Sequence, residues 1–233
     1  MTGPGPEAQR RMSAQPPEML EARIPKGDVP EVYRRLAPRY DAWAKRAEAK
    51  ARNRCLELAG IRDGEAVLEV AVGTGLAFVE ILRRNPHGRN EGIDITEEML
   101  ARARRRAERV GVRNYRLQVG DAYNLEFPDE TFDVLINNYM FDLLPVGDFP
   151  KVLSEFRRVL KPGSRLMMVN MTKGERWYHS LWEVIYRIRP AWLGGCRGIH
   201  VVPFLDAVGF KELSREYVSE LGFASEVVRA IKM

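Results

Sequence analysis

The stretch AVLEVAVGTGL, residues 66–76, decides the fold of this chain, because it joins an apolar strand to a glycine turn. Residues 66–70 are short, apolar and partly β-branched, which is typical of a strand buried in a parallel sheet. Residues 76–84 follow with apolar side chains at helical spacing. A strand, a glycine turn and a helix bring backbone N–H groups and a helix N-terminus up to a ligand. We therefore expect a ligand-binding turn around Gly73 and Gly75.

An acid further along the chain indicates what kind of ligand this is. Asp94 lies in the strand-like segment 92–95, about 20 residues after the glycine turn, where an acid suits the hydroxyls of a ribose. A dinucleotide fingerprint, G-x-G-x-x-G/A, needs a small third residue, and that position is Phe78 here. The pattern that fits is acid-x-small-x-Gly-x-Gly, formed by Glu69, Ala71, Gly73 and Gly75. It favours a nucleoside cofactor that is not a dinucleotide.

This pattern resembles motif I of the class I S-adenosylmethionine (SAM) methyltransferases. Segments 120–122, 132–138 and 159–166 resemble the later strands and turns of that family, so the resemblance covers roughly residues 30–170. It implies SAM as the cofactor and an α/β fold with a doubly wound, seven-stranded, mostly parallel sheet whose last strand, 225–232, returns antiparallel beside 210–218. It also implies cofactor contacts from a larger set of residues: Glu69, Ala71, Gly73, Gly75, Asp94, Ile95, Asp121, Ala122 and Asn138.

One position departs from the family pattern. Ala71 stands where the family usually has its first glycine. An alanine is tolerated there if its φ angle stays negative, and we expect a negative φ.

The composition favours one domain in a reducing compartment. A chain of 233 residues suits a single α/β domain over 28–233, and residues 1–27, rich in Pro, Gly, Glu and Arg, are expected to form a disordered arm. No apolar run reaches the roughly 18 residues of a membrane span, and no signal segment is evident. Cys55 and Cys196 form no disulfide framework. We expect a cytoplasmic protein, with peripheral association at the inner membrane face as an alternative.

The net charge of +5 is concentrated after Asp94, at Arg102, Arg104, Arg105, Arg106 and Arg109. These arginines form either a solvated helix face or a patch that meets an anionic membrane. Nucleic acid is disfavoured as a partner, because residues 137–139 lack the prolines of base-amino methyltransferases. His87, His179 and His200 have no ligand spacing, which argues against a metal site.

Two segments outside the cofactor core are candidates for acceptor recognition. Residues 30–60 are expected to form cap helices, and their Ala-Pro-x-Tyr-Asp sequence, 37–41, resembles the N-terminal motif of two methyltransferase groups. These are the ubiquinone/menaquinone C-methyltransferases and the bacterial phosphatidylethanolamine N-methyltransferases. The resemblance implies an arm that folds over the cofactor, with Tyr40 at the cofactor and the reacting groups and Tyr33 at the acceptor. Alternatively, both tyrosines pack a cap helix.

The second segment is an insertion over 173–203. Trp177, Tyr178 and Trp182 are expected to contact the acceptor as part of a lid, although such an aromatic stripe can equally form core. Arg197 can bind a phosphate or carboxylate, or be an ordinary surface arginine. Near strand four, Tyr139 is a candidate acceptor contact. Asp142 and His200 are candidate catalytic bases.

The resulting hypothesis is a SAM-dependent methyltransferase for a small amphipathic or membrane-lipid acceptor, with a phosphatidylethanolamine-type head group favoured. Alternatives are C-methylation of a quinone precursor, methylation of a soluble small molecule, and SAM binding without turnover by a regulatory protein.

Overall fold

The computed structural model describes residues 46–172, 197–220 and 222–233, together with residues 19, 22, 26–28 and 31. Its centre is a seven-stranded sheet in the order β3-β2-β1-β4-β5-β7-β6. The strands are β1 Ala66–Val70, β2 Arg89–Asp94, β3 Tyr115–Val119, β4 Phe132–Asn138, β5 Leu160–Met171, β6 Phe210–Glu220 and β7 Phe223–Lys232. The predicted seven-stranded, mostly parallel α/β sheet is confirmed.

The parallel half of the sheet determines where a ligand can bind. Strand β1 pairs in parallel with both β2 and β4, so that Val70 lies opposite Ile93 on one side and Asn137 on the other. The chain leaves β1 toward β2 on one side and returns to β4 on the other. The carboxyl ends of these three strands meet at this topological switch point, where open α/β sheets bind their ligands.

The other half of the sheet is antiparallel. Strand β7 lies between β5 and β6 and runs antiparallel to both, with Asn170 opposite Glu226 and Val218 opposite Ser225. The predicted return of residues 225–232 beside 210–218 is confirmed.

In the described part of the chain, five α-helices with assigned bounds cover the two faces. They are α1 Ala49–Ala59, α2 Phe78–Arg84, α3 Glu97–Glu108, α4 Phe149–Val159 and α5 Val202–Ala207. Helices α1, α2 and α3 contribute to one apolar core, and α4 and α5 to the other. In α4 the fully buried side chains follow helical spacing, at Phe149, Val152, Leu153, Phe156 and Val159. Burial of each such side chain stabilises the fold by about 1.5–3 kcal/mol.

Several predicted segments lie outside the described residues. These are most of the N-terminal arm, most of the cap segment before α1, and residues 173–196 of the insertion. Among the helices described, none is both long and apolar enough to cross a membrane.

Candidate functional site

A cavity opens at the carboxyl ends of β1, β2 and β4, where the switch point predicts a ligand. Its lining combines the acid at the end of β2 with small and apolar side chains. Of the predicted cofactor residues, it contains Ala71, Gly73, Asp94, Ile95, Asp121, Ala122 and Asn138. The structure therefore brings together residues that are more than 60 positions apart in the chain.

The turn after β1 forms one end of this cavity and has a left-handed backbone at three positions. The φ angles are 61° at Ala71, 56° at Gly73 and 84° at Gly75. The expectation of a negative φ at Ala71 was wrong. Backbone bonds hold the turn in this shape, since Val72 N donates to Ile93 O and Gly75 N to Val72 O, both at 3.0 Å. A non-glycine residue in this region is strained, and such strain is often found at functional sites.

The two glycines of the turn have different roles. A Cβ atom added to Gly73 would meet no atom within 4 Å, and Gly73 lines the cavity. A Cβ atom added to Gly75 would lie 2.9 Å from Ala103 of α3, and Gly75 is not among the residues that line the cavity. Gly75 therefore allows the helix to pack against the turn. The expected direct contact of Gly75 with the cofactor stays a prediction.

Asp94 is both a cavity residue and a support for the glycine turn. Its Oδ2 atom accepts from Gly73 N at 2.8 Å, and its Oδ1 atom accepts from Thr96 N at 3.0 Å and from Thr96 Oγ1 at 2.6 Å. Burial raises the pKa of Asp94 above its ordinary value, and the donors from Thr96 and Gly73 oppose that rise. Each carboxylate oxygen has more than one lone pair, so Asp94 can accept further hydrogen bonds from a ligand.

A second, smaller cavity adjoins the first and shares Ala71, Gly73, Asn138 and Tyr139 with it. It is lined by charged side chains, namely Glu48, Arg52 and Glu69. Burial raises the pKa of Glu69 well above its ordinary value, and the neighbouring Asn138 amide and Arg52 oppose that rise. Within the described part of the chain, the Glu69 Oε2 atom and both polar atoms of the Asn138 side chain have no hydrogen-bond partner. Buried polar atoms of this kind indicate a site for a polar ligand.

Tyr139, a predicted acceptor contact, lies between the two cavities. It is buried, and its φ of 53° places it in the left-handed region. Its hydroxyl is 2.8 Å from Ser225 Oγ of β7, and burial raises the pKa of this phenol well above its ordinary value. Tyr139 is therefore a neutral wall residue at this junction and is not poised to act as a base.

The wall opposite the glycine turn includes residues that the sequence analysis missed. The segment after β4 contributes Met140, Leu143, Leu144 and Pro145, and other new lining residues are Thr96, Met99 and Tyr123. The signal for this wall is the apolar run that follows Asn138 and ends at a proline. Arg52 and Glu48 of the second cavity belong to no sequence motif. They could not be predicted as site residues, because charged residues are common on helix surfaces.

The predicted catalytic bases lie away from the cavity surface. Asp142 is fully buried within the 3₁₀ turn Phe141–Leu143, its Oδ2 atom accepts from Met171 N at 3.3 Å, and it lines neither cavity. Burial raises the pKa of Asp142 to about 7. His200 also lines neither cavity, and its Nδ1 atom lies 3.6 Å from Glu226 Oε2. The turn points Leu143 and Leu144 to the cavity instead of Asp142.

Arg197, predicted to bind an anionic acceptor group, is only 1% exposed. Its guanidinium donates to the carbonyl oxygens of Asp142 and Leu144. It also lines neither cavity. The structure therefore directs this side chain to the protein's own backbone.

The predicted lid residues Tyr33, Tyr40, Trp177, Tyr178 and Trp182 lie outside the described residues. Their roles at the acceptor and the cofactor stay predictions.

The arginine cluster divides into internal and external members. Arg106 donates to Thr74 of the glycine turn, and Arg104 donates to Glu97 and to the Leu117 carbonyl. Arg105 and Arg109 are exposed. Part of the cluster therefore tethers α3 to the fold.

Comparison with known proteins identifies the family. A family model described as "Methyltransferase domain" matches residues 67–163. The chain is 33% identical over 170 residues to a demethylmenaquinone methyltransferase of Thermus thermophilus, a match that covers 70% of this chain and 76% of the relative. It is 36% identical over 143 residues to a phosphatidylethanolamine N-methyltransferase of Cereibacter sphaeroides, covering 61% of this chain and 67% of that relative.

The chain spans a smaller part of other relatives. It covers 59% of a further demethylmenaquinone methyltransferase and 60% of a ubiquinone/menaquinone biosynthesis C-methyltransferase. Among solved structures, a SAM-dependent methyltransferase of Thermotoga maritima superimposes with a TM-score of 0.68 at 20% identity, covering 88% of this chain and all of that one. The sheet order, the glycine turn with its two acids and these similarities agree: the chain belongs to the class I SAM-dependent methyltransferases.

Proposed function

We propose that this protein transfers the methyl group of SAM to a ring carbon of a hydroquinone-type precursor. The observation that carries the proposal is the continuity of the two cavities through Asn138 and Tyr139. One cavity contains a ribose-type acid, and the other contains Glu69, whose buried Oε2 atom has no hydrogen-bond partner among the described residues. The acceptor class is supported by the relatives, several of which are named as demethylmenaquinone or ubiquinone/menaquinone methyltransferases.

The described side chains fit the parts of SAM. Asp94 would accept hydrogen bonds from the ribose hydroxyls, and the apolar wall around Leu144 would receive the adenine ring. Glu69 would pair with the ammonium group of the methionine part, because its Oε2 atom is buried without a partner. Arg52, in the same small cavity, carries the charge that suits the methionine carboxylate.

When bound, SAM supplies an electrophilic methyl group on a positively charged sulfur. The chain's residues hold the reactants in line and keep water out, and such alignment is worth several kcal/mol of the barrier. A hydroquinone carbon becomes nucleophilic as its phenol loses a proton, and the methylated ring carbon then loses its own proton, so this acceptor requires a base or the solvent to take up both protons. Tyr139 stays neutral at the junction and would orient the reactants through its ring and its Ser225-bound hydroxyl.

The second candidate is N-methylation of a phosphatidylethanolamine-type head group, which the sequence analysis favoured. Its support is the Cereibacter sphaeroides relative and the motif at 37–41. An amine acceptor needs only to arrive deprotonated, so this reaction requires no base in the cavity. We rank it second because more than one relative carries a quinone name.

The deciding experiment offers the purified full chain SAM with an isotope-labelled methyl group and one acceptor at a time. The acceptors are a short-chain demethylated naphthohydroquinone kept reduced, and vesicles that contain phosphatidylethanolamine. Mass spectrometry of the products locates the label on carbon or on nitrogen. Label on the ring carbon supports the proposal, and label on the amine supports the second candidate.

Two variants serve as controls for the cofactor site. Asp94→Ala removes the acid expected at the ribose, and Gly73→Val fills the open space beside the turn; each should weaken SAM at least about tenfold. Native protein that binds SAM and methylates neither acceptor would overturn the proposal and favour a regulatory protein or a different acceptor.

A further inference from the structure

The buried guanidinium of Arg197 spans the wall of the larger cavity. It donates to the carbonyls of Asp142 and Leu144, which are two residues apart in the segment after β4. Leu143, Leu144 and Pro145 of that segment line the cavity. A planar guanidinium can bridge two fixed acceptors, whereas an ammonium presents a single point of charge. The Arg197 side chain therefore holds the backbone of the cavity wall without lining the cavity itself.

The chain around Arg197 is itself held firmly against the sheet. We call residues 197–201 the anchor segment. Ile199 N donates to Met171 O at 2.9 Å, and Thr172 Oγ1 donates to Ile199 O at 3.2 Å. Val201 N lies 3.3 Å from Glu226 Oε1, a buried acid that also accepts from Arg215 Nε at 2.6 Å. The anchor segment is thus bonded to β5 and β7, and Arg197 extends from this fixed base to the wall.

The charge environment favours this arrangement over a ligand contact. A buried cation is costly unless hydrogen bonds and a negative charge compensate it. Both backbone carbonyls supply hydrogen bonds, and the carboxyl group of Asp142 adds an attraction when it is ionised. Because the Arg197 guanidinium is hydrogen-bonded in this way and almost fully buried, it does not contact the methyl acceptor.

We propose that Arg197 is a positioning residue for the cofactor cavity, which couples the anchor segment to the wall formed by Leu143–Pro145. The anchor segment directly follows residues 173–196, so this bond links the end of the insertion to the SAM site. The inference rests on SAM as the cofactor and is independent of which acceptor is methylated. It replaces the two expectations from sequence, in which Arg197 binds a phosphate or carboxylate or is an ordinary surface arginine.

The test measures SAM affinity by titration calorimetry without any acceptor. Arg197→Met keeps the length and apolar stem of the side chain and should weaken SAM at least about tenfold, because the wall loses two charged hydrogen bonds. Arg197→Lys should lie between this variant and native protein, since an ammonium can reach one carbonyl. With saturating SAM, the acceptor KM of Arg197→Lys should stay near native.

Arg158→Met is the matched control. The Arg158 guanidinium also donates to two backbone carbonyls two residues apart, those of Leu125 and Phe127, and none of these three residues lines either cavity. Its loss should lower the unfolding temperature and leave SAM affinity unchanged, which separates positioning from general stability.

Native affinity for SAM in a folded Arg197→Lys or Arg197→Met variant, with a raised acceptor KM, would overturn the inference. If native protein itself binds no SAM, the proposed function fails instead. Should Arg197→Met not fold, the comparison of Arg197→Lys with Arg158→Met decides the question.

Discussion

Arg106 donates from a single guanidinium nitrogen to both the carbonyl oxygen and the hydroxyl of Thr74, at 2.7 and 2.6 Å. Helix α3 is therefore bonded to the glycine turn that borders both cavities. Thr74 is buried, so this charged interaction is shielded from water. An arginine that composition alone assigns to a surface patch thus belongs to the support of the cofactor turn.

The bond to Thr74 predicts a specific role for one arginine of the cluster. Arg106→Gln should weaken SAM about tenfold, because a charged hydrogen bond of about 1.5–3 kcal/mol no longer holds the turn. The measurement is titration calorimetry of SAM. Arg105→Gln is the control, since Arg105 is an exposed neighbour on the same helix and should retain native affinity. Equal losses in both variants would point to the net charge of the helix instead.

The contact between Gly75 and Ala103 predicts a compensating pair of substitutions. Gly75→Ala should destabilise the protein by roughly 2–4 kcal/mol, from left-handed strain and from overpacking against Ala103. Ala103→Gly removes the Cβ atom but keeps the Cα atom, which is equally close to the added methyl group, and so the double variant should recover only part of the overpacking cost, less about 1 kcal/mol for glycine in a helix. Urea unfolding of the native protein, the two single variants and the double variant gives the coupling energy. A coupling near zero would mean that the turn and the helix do not share this contact.

The left-handed φ of Ala71 predicts a stabilising substitution. Ala71→Gly removes about 1–2 kcal/mol of strain and costs about 0.5–1 kcal/mol of chain entropy, for a net gain of roughly 0.5–1 kcal/mol. Urea unfolding without ligand measures it. Ala101→Gly, in the interior of α3, is the control and should destabilise by about 1 kcal/mol. If both glycines destabilise alike, Ala71 is not strained.

The buried carboxyl of Asp142 predicts a pH dependence of stability. Burial raises its pKa from 3.8 to about 7, while Met171 N–H and Arg197 oppose the rise and Glu48 adds to it. Between about pH 4 and 7 the folded state keeps a proton that the unfolded chain has lost. The free energy of unfolding therefore falls as pH rises through this range, and the full cost of the buried charge is present above pH 7.

Asp142→Asn keeps the shape of the side chain and has no proton to lose. The free energy of unfolding of Asp142→Asn, relative to that of native protein, should rise by about 1–3 kcal/mol between pH 5 and pH 8. Urea unfolding at the two pH values measures this difference. Parallel stability curves for the two proteins would show that Asp142 is not protonated at pH 5.

Much of the sheet could be predicted from the sequence, since buried parallel strands leave continuous apolar runs. Strands β1 and β4 begin and end where the pattern predicts. Strand β2 starts earlier, at Arg89, because Asn90 and Glu91 are polar but buried. Asn90 bonds to the carbonyls of Asn85 and Gly88, and such local compensation is invisible in a hydrophobic pattern.

The site was predictable where function requires a particular residue type at a strand end, as at Asp94 and Glu69. It was not predictable where the role of a residue depends on the direction in which its side chain points. Asp142 and Leu143 are neighbours, yet only Leu143 lines the cavity, because the 3₁₀ turn sends them to different sides. Arg197 likewise carries no sequence signal that distinguishes a buried bridge from a surface charge.

The hydrogen bond between Tyr139 and Ser225 has a consequence for the carboxyl terminus. Ser225 belongs to β7, which lies in the middle of the antiparallel half of the sheet, eight residues before the end of the chain. The last hairpin therefore supports the wall at the junction of the two cavities, and a chain truncated before residue 223 would leave the Tyr139 phenol without this hydrogen-bond partner.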